Sequence, residues 1–323
     1  MSGAALPRKP RLGVTLGDPR GIGPEVAAAA ARAMRAAAAS HHLVFIGPAG
    51  TGAEAAADAV IVTGEWHADG DAALAGRLAG RAIDRAVELA MAGEIDAIVT
   101  APIDKAALHA GGYHFAGHTE MLASRAGVDD VVMLMSAERT ILGGALRVVL
   151  ATTHIPLAQV PQSLTVDRLV SQTRITAHGL RAGWALEPRL ALCAFNPHAS
   201  DGGLFGDEEA RVYAPALALL RADGIDVSGP IPADTVFRRA ARGEFDAVIA
   251  PYHDVGMAAF KTAAFGSGVN VTLGLPFPRT SPDHGTALDI AGRGVADPSS
   301  MVAALTLAAR LALTRAPRAP AQP

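Results

Sequence analysis

Three histidines follow runs of apolar residues in the same way: RVVLATT leads to His154, RLALCAF and Asn196-Pro197 to His198, and AVIAPY to His253. Imidazole is the commonest neutral ligand of a divalent metal, and three of them leave a coordination position open for substrate. One such histidine is more simply explained as a ring capping its strand through a carbonyl. Three in the same placement favour the metal. The sole cysteine, Cys193, can form neither an internal disulfide nor a thiolate zinc site. A mostly imidazole donor set points to zinc first, with magnesium or cobalt as substitutes.

Scarcity marks further positions. Arginine supplies nearly all the positive charge; lysine stands only at 9, 105 and 261, and asparagine only at 196 and 270. Lys105, Lys261, Asn196 and Asn270 all lie near Gly, Pro or His turns, where a compact charge or a neutral amide does what arginine does not. GDPRGIGPE (17–25) reads equally as an anion-binding helix start or as a tight turn. No G-x-G-x-x-G occurs, which disfavours an ordinary dinucleotide site. The stretch 269–294 gathers Asn270, Arg279, Asp283, His284 and Asp289 among glycines, more buriable polar groups than a surface loop carries. GHTE (117–120) by itself reads as a helix start.

The elements that must position these residues are legible in outline. Apolar runs beginning at 12, 43, 97, 147, 189, 247 and 269 are rich in Val, Ile and Leu and lack alternation, as strands of a parallel sheet covered on both faces do. Helical stretches at 75–92, 165–182, 207–223 and 299–314 lie between them, so the class is α/β with largely parallel sheets. In such sheets ligands sit beyond the carboxyl ends of the strands, where these polar residues fall. At 323 residues, two domains are expected. The charge of −3, with scattered basic residues, gives no footprint for nucleic acid, and no apolar run is long enough to span a bilayer. A cytoplasmic location is expected, with frayed ends over the first nine residues and from Thr314 onward.

GDPRGIGPE, TAPIDK, GHTE, THIPL, NPHASDGGLFGDEE, GPIPADTVF, YHDVG and RTSPDHGTALDIAG occur in the order that resembles the 4-hydroxythreonine-4-phosphate dehydrogenase family of pyridoxal phosphate biosynthesis, over about residues 12–312. HGTALDIAGRGVADP also resembles the adenosine-holding loop of the isocitrate and isopropylmalate dehydrogenases. The resemblance implies an isocitrate/isopropylmalate dehydrogenase-like, two-domain α/β/α fold, with a cofactor-side domain at 1–128 plus 266–323. The remainder, 129–265, is then a metal, substrate and dimerisation domain. It implies His154, His198 and His253 as metal ligands and His118, Thr119, Lys261, Asn270 and Arg279 as substrate contacts. Asp234 and Asp254 are implied as acids lining the pocket, and His284, Gly285 and Asp289 as the seat of NAD or NADP. It further implies a homodimer whose active site borrows residues across the subunit interface. Val255, Ser200-Asp201 and Arg20 depart from the family pattern, which leaves the substrate more open than the chemistry.

On this reading, the metal polarises a hydroxyl of 4-phosphooxy-L-threonine, NAD(P) takes the hydride, and Lys105 or Asp254 accepts the proton. The β-keto acid then decarboxylates to 3-amino-2-oxopropyl phosphate. Lys261, Asn270 and Arg279 are expected to grip the phosphate; otherwise Arg279 pairs with Asp283 and Lys261 faces solvent. Rival readings are a relative oxidising 4-phosphothreonate, 4-phosphoerythronate or a cyclic diol dicarboxylate, a metal-dependent hydrolase, and a non-catalytic binder of a phosphorylated metabolite.

Overall fold

The structure, a computed structural model, describes residues 9–39, 41–264 and 266–315. Most of the end segments expected to fray, 1–8 and 316–323, lie outside the described residues. Two compact units result: Met1–Gly127 with Leu275–Pro323, and Val128–Gly274.

The first unit runs β1 (Arg11–Thr15), α1 (Gly23–Ala36), β2 (His42–Ala49), β3 (Ala59–Glu65), α2 (Ala72–Met91), β4 (Ala97–Thr100), α3 (Lys105–Ala110) and α4 (His118–Ala126). The second runs β5 (Val132–Ala137), β6 (Leu146–Leu150), α5 (Val160–Ser163), α6 (Val166–Trp184), β7 (Leu190–Cys193), α7 (Ala214–Ala222), β8 (Val227–Ile231), α8 (Ala233–Ala241), β9 (Ala247–Ala250), α9 (His253–Ala264) and β10 (Val269–Leu273). The chain then returns to the first unit with β11 (Arg279–Pro282) and α10 (Ser299–Thr314).

In the first unit the strands lie in the order β3-β2-β1-β4-β11, every pair parallel. All four residues of β4 are buried, and side chains alternate across a strand, so both sheet faces are covered. Helices α2 and α10 pack against these strands. Asp71 and Asp104 start α2 and α3 by accepting the Leu74 and Ala107 amides, each at 2.7 Å. Helices α2 and α3 approach so closely that a Cβ on Gly76 would sit 1.8 Å from the Ala107 carbonyl oxygen. Only glycine fits there.

In the second unit the order is β10-β5-β6-β9-β7-β8. The β10–β5 and β5–β6 pairs are antiparallel; β6–β9, β9–β7 and β7–β8 are parallel. The antiparallel partnership with β5 places β10 in this unit, so the boundary falls after Gly274 and not at 265 as the sequence suggested. Strands β3, β5, β8 and β11 went unrecognised in the sequence, and the polar stretch 269–294 is not one loop: its first part forms β10 and β11. The core of this unit collects Leu146, Val148, Leu150, Val236, Val248 and Phe260, with Val255 packed on it. No helix of the described residues is long and apolar enough to cross a membrane.

Phe260 is fully buried on α9, the helix that begins with His253. Truncating a buried phenylalanine typically costs about 3–5 kcal/mol. Phe260→Ala should therefore lower the unfolding free energy by that order in urea titration, and an unchanged midpoint would show that this helix is not anchored as described.

Candidate functional site

Strands β6, β9 and β7 are consecutive neighbours and run parallel, with Leu150 beside Ala250 and Leu192 beside Ile249. Their carboxyl ends share one edge, and the three predicted histidines follow those ends. Two are brought together. The Ala151 amide reaches the Ala250 carbonyl at 2.9 Å and the Thr152 hydroxyl reaches the Pro251 carbonyl at 2.8 Å, tying the two loops. The rings of His154 and His253 then lie 5.6 Å apart, tilted by 47°. Zn–N bonds of about 2.0–2.1 Å in a tetrahedral shell put two imidazole centres roughly 5 Å apart, so the pair fits one divalent ion. A pocket of about 110 Å³ lies there, lined by Thr153, His154, Tyr252, His253 and Asp254 on its polar side and by Ile155, Leu157 and Val160 on its apolar side.

Asp254 is largely exposed, and its Oδ1 lies 2.8 Å from His253 Nδ1. With the proton on Nδ1, this contact fixes the ring and leaves Nε2 as a lone-pair donor. The geometry makes Asp254 an orienting partner of His253. Asp234 is exposed in the first turn of α8.

His198 is not part of a preformed cluster: among the described residues no three His, Cys, Asp or Glu side chains stand together as a metal site. It opens a turn in which His198, Ala199, Ser200 and Asp201 all have φ between 44° and 70°, followed by Gly202 and Gly203 at 70° and 100°. Left-handed backbone costs roughly 1–2 kcal/mol per non-glycine residue. The restraint is Glu209, a buried carboxylate at the start of a π-type turn, Glu209–Tyr213. Its Oε1 accepts the amides of Phe195 and Asn196 at 2.9 and 2.8 Å; its Oε2 accepts Asn196 Nδ2 at 2.8 Å and the Ser200 hydroxyl. Hydrogen bonds to a charged group contribute about 1.5–3 kcal/mol each, a scale that matches the strain. Burial alone would push the Glu209 carboxyl up, but the Asn196 amide and Ser200 hydroxyl hold it below the usual range. Asn196, conspicuous by rarity, thus secures this turn, whereas Glu209 gave no signal beyond the acidic run GDEE.

In the first unit, Arg279 is buried on β11 and its Nη2 donates to the Thr100 hydroxyl at 2.6 Å. Burial pulls the guanidinium down to about 10, against the attraction of Glu120, so it stays charged at neutral pH. His118 begins α4, with half-buried Thr119 beside it; its Nε2 is sealed from solvent without a hydrogen-bond partner. Burial, then the charge of Arg279, push the His118 ring well below its ordinary value of 6.5. A neutral imidazole with an unused polar atom beside a buried cation is a ready anion contact. Lys105, exposed at the start of α3, passes within 3.7 Å of a Cβ built on Gly117, next to His118.

The loop 283–297 belongs to the same unit and is packed onto the 17–25 turn. Ile22 donates to the Thr286 carbonyl at 2.9 Å, and a Cβ on Gly21 would stand 2.7 Å from that oxygen. Glu25 accepts the amides of Gly292 and Ala296 at 3.0 and 3.3 Å, a clamp that went unnoticed in the sequence. Gly285 and Asp289 are exposed on this loop, and His284 Nε2 is buried without a hydrogen-bond partner. In the second unit, Lys261 lies in the last turn of α9, and Asn270 on β10 has a sealed Oδ1 without a hydrogen-bond partner.

Two largely parallel α/β units of this kind define the isocitrate dehydrogenase type of fold. The structure of isocitrate dehydrogenase from Methylococcus capsulatus is similar in fold alone, with TM-score 0.51 at 14% identity over 92% of this chain and 84% of that one. Closer relatives narrow the class. The family model described as "Pyridoxal phosphate biosynthetic protein PdxA" matches residues 23–308, and the chain belongs to that family. It is 45% identical to the 4-hydroxythreonine-4-phosphate dehydrogenase of Paracoccus denitrificans, over 94% of this chain and 98% of the relative. It is 42% identical to a Bradyrhizobium diazoefficiens protein provisionally named D-threonate 4-phosphate dehydrogenase, over 93% and 96%. The crystal structure of the Klebsiella pneumoniae 4-hydroxythreonine-4-phosphate dehydrogenase superposes with TM-score 0.83 at 39% identity, over 94% and 100%.

The His118 environment sets a pH dependence. A folded-state value below 6.5 means that unfolding takes up a proton, so the stability it contributes is complete above about pH 6.5 and is lost as pH falls below it. Between pH 6.5 and 5.5 the wild type should lose up to about 1 kcal/mol more than His118→Gln. Parallel stability–pH curves would mean that His118 titrates normally.

Proposed function

We propose that this chain is an NAD(P)-dependent, divalent-metal-dependent dehydrogenase that oxidises 4-phosphooxy-L-threonine, with loss of carbon dioxide, to 3-amino-2-oxopropyl phosphate. What carries the reading is near-full-length similarity to 4-hydroxythreonine-4-phosphate dehydrogenases in a chain whose strand ends present His154, His253 and His198. In this reading the three imidazoles hold the metal, zinc before magnesium or cobalt. A bound ion would supply Lewis-acid polarisation of the substrate hydroxyl, and NAD(P) its two-electron oxidising capacity.

The chain's own residues do the rest. Arg279, His118, Thr119, Lys261 and Asn270 bind the substrate, with Arg279 as fork and Lys261 as point charge for the phosphate. Asp254 keeps the His253 ring oriented. Lys105 takes the proton released from the hydroxyl, with Asp234 as the second acid or base of the pocket. The loop around His284, Gly285 and Asp289, clamped by Glu25, seats the adenosine end of the cofactor without a glycine fingerprint. The working form is a cytoplasmic homodimer that shares residues between its subunits.

The resemblance to the Bradyrhizobium protein supports a second reading, oxidation of a 4-phosphorylated threonate. Both predict reduced-cofactor absorbance when NAD or NADP is offered with the right phosphorylated hydroxy acid, on protein that sediments as a dimer. A panel of 4-phosphooxy-L-threonine, 4-phosphothreonate and 4-phosphoerythronate separates them by kcat/KM. His253→Ala should lower kcat/KM by about 100-fold or more, since metal polarisation contributes several kcal/mol. Chelation should abolish turnover and added zinc, magnesium or cobalt restore it. Activity indifferent to chelation and to His253, or no reduction with any of the three substrates, would refute the dehydrogenase reading.

A further inference from the structure

We infer that Glu209 is the positioning residue for His198: its carboxylate holds the left-handed turn that presents this imidazole to the metal. The inference rests on the reading of His198 as a metal ligand and concerns a residue that does not itself touch metal or substrate.

The turn from His198 to Gly203 has six consecutive residues at positive φ, a run that local preference would unwind. It is closed internally by Ala199 to Asn196 at 3.2 Å and Phe205 to Ser200 at 3.1 Å. These bonds alone leave its base untethered; Glu208 adds one bond from outside, accepting Asn196 Nδ2 at 2.8 Å. Glu209 supplies the tether by gathering Phe195 N, Asn196 N, Asn196 Nδ2 and the Ser200 hydroxyl on one buried carboxylate. Each of the four is a donor, and an ionised carboxylate is the side chain that offers only acceptors. Glutamine in its place turns an NH2 group either toward the Phe195 and Asn196 amides or toward Asn196 Nδ2 and the Ser200 hydroxyl, of which only the hydroxyl can turn to accept. The base of the turn is also fixed to the loop of the other histidines, because Phe195 packs edge-to-face on Tyr252, beside His253, with centroids 6.3 Å apart. Ser200, at φ 70°, is the turn's own contribution to the tether. If the turn unwinds, the ligand-competent fraction falls and the apparent metal affinity falls with it.

The experiment is zinc affinity measured by competition with a chromophoric chelator, with no turnover required. Glu209→Gln should bind zinc about tenfold more weakly or worse, the loss expected for a charge-assisted tether. Ser200→Ala, a milder lesion that keeps the fold if Glu209→Gln does not, should weaken zinc by about threefold or more. Thr176→Val, which deletes the buried hydroxyl bond to the Gln172 carbonyl in α6, is a control lesion outside the turn and should bind zinc within about twofold of wild type. Hydrogen exchange at Phe195, Asn196 and Phe205 should accelerate selectively in the Glu209 and Ser200 variants. Zinc affinity unchanged in Ser200→Ala and in folded Glu209→Gln, while His198→Ala weakens it, overturns the positioning role. His198→Ala without effect on zinc overturns the metal-ligand reading instead.

Discussion

Parallel pairing of β6, β9 and β7 is the constraint on which the rest depends. Parallel neighbours end on the same edge of a sheet, so residues 154, 198 and 253, far apart in sequence, follow three adjacent strand ends. The Thr152–Pro251 hydrogen bond then brings two of the histidines into one pocket. An apolar core that includes Phe260 and Val248 holds the strands in register, leaving the polar chemistry to the loops.

The chain resolves two electrostatic problems by different means. In the first unit a buried cation, Arg279, is kept beside a neutral His118, and burial shifts both groups away from charge. Such a pair has more to gain from an arriving anion than an exposed one has, because water no longer competes for the donors. In the second unit a buried carboxylate, Glu209, is fully engaged with donors from the turn it restrains. The first arrangement suits recognition and the second suits preorganisation. Cys193 takes part in neither, since burial pushes its thiol up to about 12.

What the sequence revealed follows from which signals are local. Seven apolar runs became β1, β2, β4, β6, β7, β9 and β10, and the histidines were legible because each follows such a run. β3 (AVIVTGE) and β5 (VMLMSA) carry apolar runs as legible as those of the other strands, whereas β8 hid because Gly-Pro interrupts it and β11 because RTSP reads as a turn. Arg279 and Thr280 are nevertheless buried there, Arg279 donating from Nη2 to the Thr100 hydroxyl and Thr280 to the Ala304 carbonyl. Glu25 and Glu209 were illegible for a different reason. A carboxylate near a loop looks solvated until its partners are known, and those partners are amides 267 and 271 residues away for Glu25 and 13 and 14 away for Glu209. Spacing cannot report a clamp between segments that meet only in the fold.

The proposed metal site, three strand-end imidazoles around one divalent ion, has a direct spectroscopic signature. X-ray absorption at the zinc edge of zinc-loaded wild-type protein tests it most directly. Such a site gives a nitrogen and oxygen shell at about 2.0–2.1 Å with the outer scattering of about three imidazoles. Sulfur at about 2.3 Å, or an oxygen shell without imidazole scattering, would contradict it.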